Sequence, residues 1–157
     1  MTLAGIIRRK GPQVVTVDRG ATLSDVAAAL TARSIGVVVV LGADGALEGV
    51  VSERDVLRKL AEHGPAAMAM TAEQTMTRKV VTATPETTMD QAMAMMTVGG
   101  FRHLPIMEKG VLAGIISVRD VVRTQVDINQ YEVRMLRTYL ASEQVAGGPA
   151  PPARLHA

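Results

Sequence analysis

Residues 15–55 recur, one residue shorter, as residues 81–120, and a unit written twice in a chain of 157 residues restricts the fold to two similar halves that share a core. Val15-Thr16-Val17 aligns with Val81-Thr82-Ala83 at an offset of 66, and the same offset pairs Thr22-Leu23-Ser24-Asp25 with Thr88-Met89-Asp90-Gln91, Ile35 with Phe101, and Val40 with Ile106. The offset falls to 65 in the turn where Gly42-Ala43-Asp44-Gly45 faces Glu108-Lys109-Gly110. Beyond it Leu47 meets Leu112, Gly49 meets Gly114, Ser52 meets Ser117 and Asp55 meets Asp120. A glycine-containing turn is where a duplicated unit tolerates the loss of one residue.

Each copy predicts the same order of elements. A short helix, about Leu3 to Arg9 or Ala72 to Thr77, leads to a strand at Val14 to Val17 or Val80 to Thr84. Thr22 or Thr88 then caps a helix with apolar residues at helical spacing: Leu23, Val26, Ala27 and Leu30, or Met89, Ala92, Met93 and Met96. Strands at Gly36 to Leu41 or Arg102 to Met107, and at Leu47 to Val51 or Leu112 to Ile116, form a hairpin that runs into a closing helix; Gly64-Pro65 ends the first of these. Met68, Met70, Met76, Met89, Met93, Met95 and Met96 read as adaptable core filling rather than as a binding face. Half a chain of this size cannot cover both faces of its small sheet, so the fold class is α/β (α+β), two αβαββα halves packed about a pseudo-twofold axis. The boundaries expected are 3–65 and 70–125 for the repeats, a helix at 126–144, and a Gly/Pro/Ala-rich tail at 145–157 with too little to bury to be ordered. The helix carries an apolar stripe, Ile128, Tyr131, Met135 and Tyr139 with Leu136 and Leu140 beside it, which packs either on its own domain or against a second copy.

The chemistry concentrates where the last strand of each unit meets its closing helix, Gly49-Val-Val-Ser-Glu-Arg-Asp55 and Gly114-Ile-Ile-Ser-Val-Arg-Asp120. Ser52 and Ser117 stand at helix N-caps, where free amides and the positive end of the helix dipole attract anions. Asp55 and Asp120 sit one turn inside, placed to accept from a pair of hydroxyls, and the combination suits a ribose 5'-phosphate. The plainer reading of the same residues is a capping box with aspartate in the place of glutamate.

Composition removes other classes. Zero cysteines excludes disulfides and thiolate sites, and His63, His103 and His156 are too scattered for a metal site by spacing. A net charge of +2, from 17 basic and 15 acidic residues, with 2% aromatics, offers neither a basic stripe nor a stacking platform for bases. There is no phosphate loop of the Gly-x-x-x-x-Gly-Lys type and no nucleophile with a base at hand, so no catalytic residue is assigned. The first ten residues do not read as a signal peptide and no apolar run spans a bilayer, which predicts a cytoplasmic protein without a membrane.

The doubled Gly, two apolar residues, Ser, two variable residues, Asp pattern resembles the fingerprint of the CBS domain, named after cystathionine beta-synthase, in the tandem form called a Bateman module. Gly99-Gly-Phe-Arg-His-Leu-Pro-Ile106 is similar to the family's middle strand, and the resemblance covers about residues 3 to 125. It implies a stand-alone sensor of adenine ligands, AMP, ADP, ATP, S-adenosylmethionine or NAD(H), which bind in the cleft between repeats without a catalytic cofactor. Carried over by position, Asp55 and Asp120 would hold ribose hydroxyls, with Ser52 and Ser117 near ribose and phosphate. Thr16, Val17, Thr82, Ala83, Thr84 and Pro85 would meet adenine through backbone groups, and Val37, Val51, Leu104 and Ile116 would sandwich the ring, with Pro105 in the adjoining run.

The two sites are not expected to be equal. Arg102 and His103 bring two potential cations to the second repeat where the first has Gly36 and Val37, and charge-assisted bonds to phosphate are the strong kind. Arg54 and Arg119 reach a phosphate across the axis or pair with Glu53 or Asp55. The resemblance further implies a homodimer and a regulated protein partner; the other class that stays open is a nucleic-acid or structural interaction module indifferent to nucleotides.

Overall fold

The computed structural model describes residues 1–11 and 13–146, with side chains through Ser142. The sequence boundaries of the repeats and the way the chain closes them differ by one helix. Helix α1 (Leu3–Lys10) precedes the first repeat, made of β1 (Thr16–Asp18), α2 (Leu23–Arg33), β2 (Val37–Leu41), β3 (Leu47–Ser52) and α3 (Glu53–His63). A 3-10 turn at Gly64–Ala69 and α4 (Ala72–Thr75) lead to α5 (Met89–Gly99), β4 (His103–Glu108), β5 (Val111–Ser117) and α6 (Val118–Ala146). Yet the amides of Leu3 and Ala4 donate to the carbonyls of Thr87 (2.9 Å) and Pro85 (2.8 Å), so α1 is seated on the second repeat. Conversely the amides of Ala72 and Glu73 donate to Ala21 (2.7 Å) and Arg19 (2.9 Å), so α4 closes the first. Each repeat receives the helix that precedes the other, which ties the halves together.

Local chemistry sets the elements. Thr22 with Asp25, Ser52 with Asp55, Thr71 with Gln74 and Thr88 with Gln91 all form reciprocal capping boxes. In the first sheet β1 is parallel to β2 and β2 antiparallel to β3, with Thr16 opposite Val39 and Val37 opposite Ser52. In the second, β4 and β5 are antiparallel, with His103 opposite Ser117. Their turn is tight because Lys109 (φ 50°) and Gly110 (φ 81°) both take the left-handed conformation that two-residue hairpins require.

The strand expected at Val80 to Thr84 shrinks to one parallel bridge, Ala83 to Ile106. Pro85 has no amide to extend the ladder, and the Thr84 amide turns to Thr87 Oγ1 at 3.1 Å. The first repeat has Arg19 at the place of Pro85, and β1 forms there, starting at Thr16 rather than Val14.

The first core joins Leu23, Val26, Leu30, Val38, Val40, Val51 and Val56 to Ala72 and Met76 from the α4 segment. Met89, Ala92, Met96, Leu104, Ile106, Ile116 and Val121 are buried in the second repeat, as are Leu3 and Ile6 of α1. Of the seven methionines read as core filling, Met76, Met89 and Met96 are buried and the other four half-buried. Residues 1–121 form one compact unit. From Val122 the chain is a second unit, whose described part is α-helical to Ala146, with every residue from 129 to 142 exposed. The helix expected at 126–144 is thus the continuation of the closing helix, and the tail from 147 lies outside the described residues.

Candidate functional site

The hairpin register assembles the site: Val37 beside Ser52, and His103 beside Ser117, place the start of each inner strand against the serine that opens each closing helix. The Ser52 amide and hydroxyl donate to Asp55 Oδ2 at 2.8 and 2.7 Å, and the Asp55 amide donates back to Ser52 Oγ at 3.3 Å. Ser117 and Asp120 repeat the pattern at 2.8, 2.8 and 3.3 Å. The capping box is therefore formed at both mouths. The next amides are also taken, Glu53 by the Gly36 carbonyl (3.1 Å) and Val118 by the Arg102 carbonyl (3.0 Å). Each mouth keeps one first-turn amide, Arg54 or Arg119, for an anion rather than the whole open turn that the sequence suggested.

The carboxylates differ in what else they hold. Asp55 Oδ1 accepts from Arg58 at 2.7 Å, and the side chain is 10% exposed. Asp120 Oδ2 accepts a third donor, Lys10 Nζ, at 2.7 Å, while its Oδ1 has no donor among the described residues and the side chain is 22% exposed. Burial pushes the Asp120 carboxyl up, but the Lys10 bond, the two Ser117 bonds and the Lys10 charge outweigh it and hold the pKa below the ordinary carboxylate value. Lys10 Nζ also donates to the Ile115 carbonyl at 3.1 Å. The matching residue of the first repeat, Val50, is instead closed by backbone bonds to Thr77 in both directions, 3.1 and 2.9 Å. A lysine side chain thus caps the edge that the other repeat seals with its main chain.

His103 joins the repeats. A Cβ built on Gly36 would lie 3.1 Å from His103 Cε1 and 3.6 Å from Glu53 Oε2, so the ring and Glu53 crowd the one position without a side chain. Burial lowers the His103 pKa first, and the Arg102 and Lys10 charges add to it; Asp120 and Glu53 pull the other way and lose. The lowered pKa disfavours the charged ring, so His103 is the weaker of the two cations expected beside Ser117. The cations at this mouth are exposed Arg102 and Lys10, and Lys10 is the residue that sequence reasoning missed.

The other expected residues are divided between core and surface. Val51, Leu104 and Ile116 are 0% exposed, Val37 is 8% exposed and Pro105 is buried, so in this structure they offer no surface to a ring. Leu104 with Ile116, and Pro105, lie on opposite faces of the second hairpin, and both faces are covered there. Thr16, Thr82 and Thr84 are exposed, Val17 and Pro85 half-buried, Ala83 buried. The Ala83 amide is spent on the Pro105 carbonyl, and the Ala83 and Pro85 carbonyls each accept one backbone bond, from Met107 and Ala4. Arg54 and Arg119 are exposed and pair with neither Glu53 nor Asp55; the arginine on Asp55 is Arg58, one helical turn on. Among the described residues no group of His, Asp and Glu could hold a metal ion, and no helix is long and apolar enough to cross a membrane.

The family model described as CBS domain matches residues 3–62 and 72–127. A mitochondrial CBS domain-containing protein of Arabidopsis thaliana is 34% identical over 149 residues, 88% of this chain and 71% of the relative. The crystal structure of a CBS-domain containing protein from Agrobacterium tumefaciens superposes with a TM-score of 0.78 at 41% identity, covering 80% of this chain and 99% of that one. A CBS domain protein of Pyrobaculum aerophilum, solved in complex with AMP, has a TM-score of 0.69 at 27% identity, covering 76% and 89%.

Proposed function

The chain belongs to the CBS domain family, and from that premise we propose that it is a cytoplasmic regulatory module, without catalytic activity, that binds an adenine nucleotide at the mouth framed by Asp120, Ser117, Lys10 and Arg102. The observation that carries this reading is the split use of the part-exposed Asp120 carboxylate: Oδ2 is taken by the capping box and Lys10, while Oδ1 has no donor among the described residues and is left for a sugar hydroxyl. Lys10, Arg102 and the Arg119 amide are the donors for phosphate, and bonds of this charge-assisted kind contribute roughly 1.5 to 3 kcal/mol each. The AMP complex of the Pyrobaculum relative supports the choice of AMP, ADP or ATP, with NAD(H) as the larger ligand that would extend toward the first repeat. The Asp55 mouth, with Oδ1 held by Arg58, is the weaker of the two.

A regulatory role needs a ligand that prefers one of two states, since equal affinity for both shifts nothing. Lys10 supplies the difference: it bridges Asp120 and the Ile115 carbonyl, and a phosphate arriving there would draw it away. A second copy and a regulated protein partner read the change.

The test is a thermal-shift panel of AMP, ADP, ATP, NAD, NADH and S-adenosylmethionine on the full chain. A ligand at 100-fold its Kd stabilises by about 2.7 kcal/mol, which is visible as a raised Tm. A panel with no response removes the nucleotide reading and leaves a structural interaction module.

A further inference from the structure

The first repeat sets a negative charge where the second has none. Glu53 opens α3 as Val118 opens α6, each at the residue after the capping serine. The Glu53 amide is fixed by the Gly36 carbonyl at 3.1 Å. Because Gly36 has no side chain, the His103 ring and the Glu53 carboxylate crowd one point: a Cβ there would lie 3.4 Å from His103 Nε2 and 3.6 Å from Glu53 Oε2. His103 also belongs to the second mouth, since it stands opposite Ser117 and directly opposed residues share a face of the hairpin. The imidazole therefore stands between Glu53 and the mouth where Lys10 and Arg102 would receive a phosphate. We propose that Glu53 sets the phosphate number of the ligand, admitting a nucleoside monophosphate and disfavouring the di- and triphosphate. The proposal rests on the nucleotide reading of the Asp120 mouth and names the ligand class within it.

The balance of charge carries the argument. Four charged groups act on the His103 ring, Arg102 and Lys10 against Asp120 and Glu53, and their neutrality depends on Glu53. The next basic residues, exposed Arg54 and Arg119, are not among the four. A phosphate monoester carries about −1.5 to −2 at neutral pH, so Lys10 and Arg102 can match it by direct charge-assisted bonds. Each further phosphate adds negative charge to a mouth that has no surplus positive field to offer, and Glu53 is the anion it meets beyond the ring.

A carboxylate in the first turn of a helix has a plainer use, complementing the dipole. That use is already met by Asp55 in α3, and α6 begins with Asp120 alone. Glu53 is exposed and makes no ion pair among the described residues, so no contact in the fold calls for its charge.

The experiment is calorimetric titration of the full chain with AMP, ADP and ATP, at low salt and without divalent cation. Wild type is expected to bind AMP more tightly than ATP. Glu53→Gln keeps the size of the side chain and should tighten ADP and ATP by about three- to tenfold, and AMP by less than about twofold. Glu53→Lys should bind ATP more tightly than AMP. Asp44→Asn removes the same charge at the opposite end of the same hairpin, where Asp44 Oδ1 accepts from the Ala46 amide at 3.1 Å, and should leave all three affinities as they are. ATP bound by wild type as tightly as AMP, a Glu53→Gln variant whose ATP affinity is unchanged or rises no more than its AMP affinity, or the same gain in Asp44→Asn overturns the proposal and leaves the nucleotide site standing. A wild-type chain that binds none of the three overturns both readings at once.

Discussion

Lys10 Nζ sits 2.7 Å from Asp120 Oδ2 across 110 residues of chain, and it reaches there because α1 leaves the repeat it precedes and settles on the other. The pair is part exposed, 37% and 22%, so as an ion pair it contributes about 1 kcal/mol or less. Its consequence lies in binding. Lys10→Met should leave the unliganded Tm nearly unchanged, weaken phosphate-bearing ligands by tenfold or more, and leave adenosine bound as well or better because one donor has left the carboxylate. Calorimetric titration with AMP and adenosine separates the two; equal losses for both would reduce Lys10 to a structural role.

The two aspartates should part company under substitution. Asp55→Ala and Asp120→Ala each remove a capping box, which costs about 1 kcal/mol, and Asp55→Ala also strands Arg58. Both variants should therefore melt below wild type without ligand. The nucleotide-induced increment in Tm, taken from each variant's own baseline, should survive in Asp55→Ala and vanish in Asp120→Ala. The reverse pattern would move the site to the first repeat.

What the sequence made legible was local. The caps at Thr22, Thr88, Ser52 and Ser117 and the two hairpins follow from residues within a few positions of one another, and the duplication from two such stretches matched at offsets of 66 and 65. The crossing of α1 and α4 did not, because no short-range pattern says which sheet a helix will cover, and nothing local separates Lys10 from Arg8 and Arg9 beside it at the end of α1. The cleft residues came from the family resemblance and from no short-range pattern: Val37 to Val40 of β2 and Leu104 to Ile106 of β4 are buried in unbroken runs, so alternation along these strands does not mark which side chains would line a cleft.

His103 gives the site a pH dependence with a definite sign. Its folded pKa is lowered, so below about 6.5 the unfolded chain takes up the proton that the folded ring resists, and stability is lost as pH falls from 6.5 through the lowered value. Above 6.5 the ring contributes nothing either way. A phosphate beside the ring adds negative charge to that of Asp120 and Glu53 against Arg102 and Lys10, raising the pKa and coupling binding to proton uptake. AMP affinity should therefore rise between pH 7.5 and 6 while adenosine affinity stays level, and His103→Gln should flatten the AMP profile. Urea midpoints of wild type and His103→Gln at pH 7.5 and 5.5 check the stability half of the argument, with wild type the more acid-sensitive.

The two fingerprint glycines look equivalent in sequence and are not equivalent in space. A Cβ on Gly49 would fall 2.6 Å from Met76 Sδ and 2.8 Å from the Thr77 carbonyl oxygen. The sulfur can swing aside, but the carbonyl is fixed by the Val50 amide at 3.1 Å, so the backbone bridge must open. The nearest atoms to a Cβ on Gly114 are Ile7 side-chain carbons at 3.4 to 3.5 Å, ordinary packing distance. Gly49→Ala should thus cost roughly 1 to 3 kcal/mol, the range for overpacking, and Gly114→Ala should fall within about 0.5 kcal/mol of wild type because the reduced freedom of the unfolded chain offsets a light contact. Urea unfolding of the two variants side by side reads the difference. Equal losses would mean that α1 presses on β5 as hard as the Thr77 backbone presses on β3, and that Lys10 is fixed at the edge rather than poised to leave it.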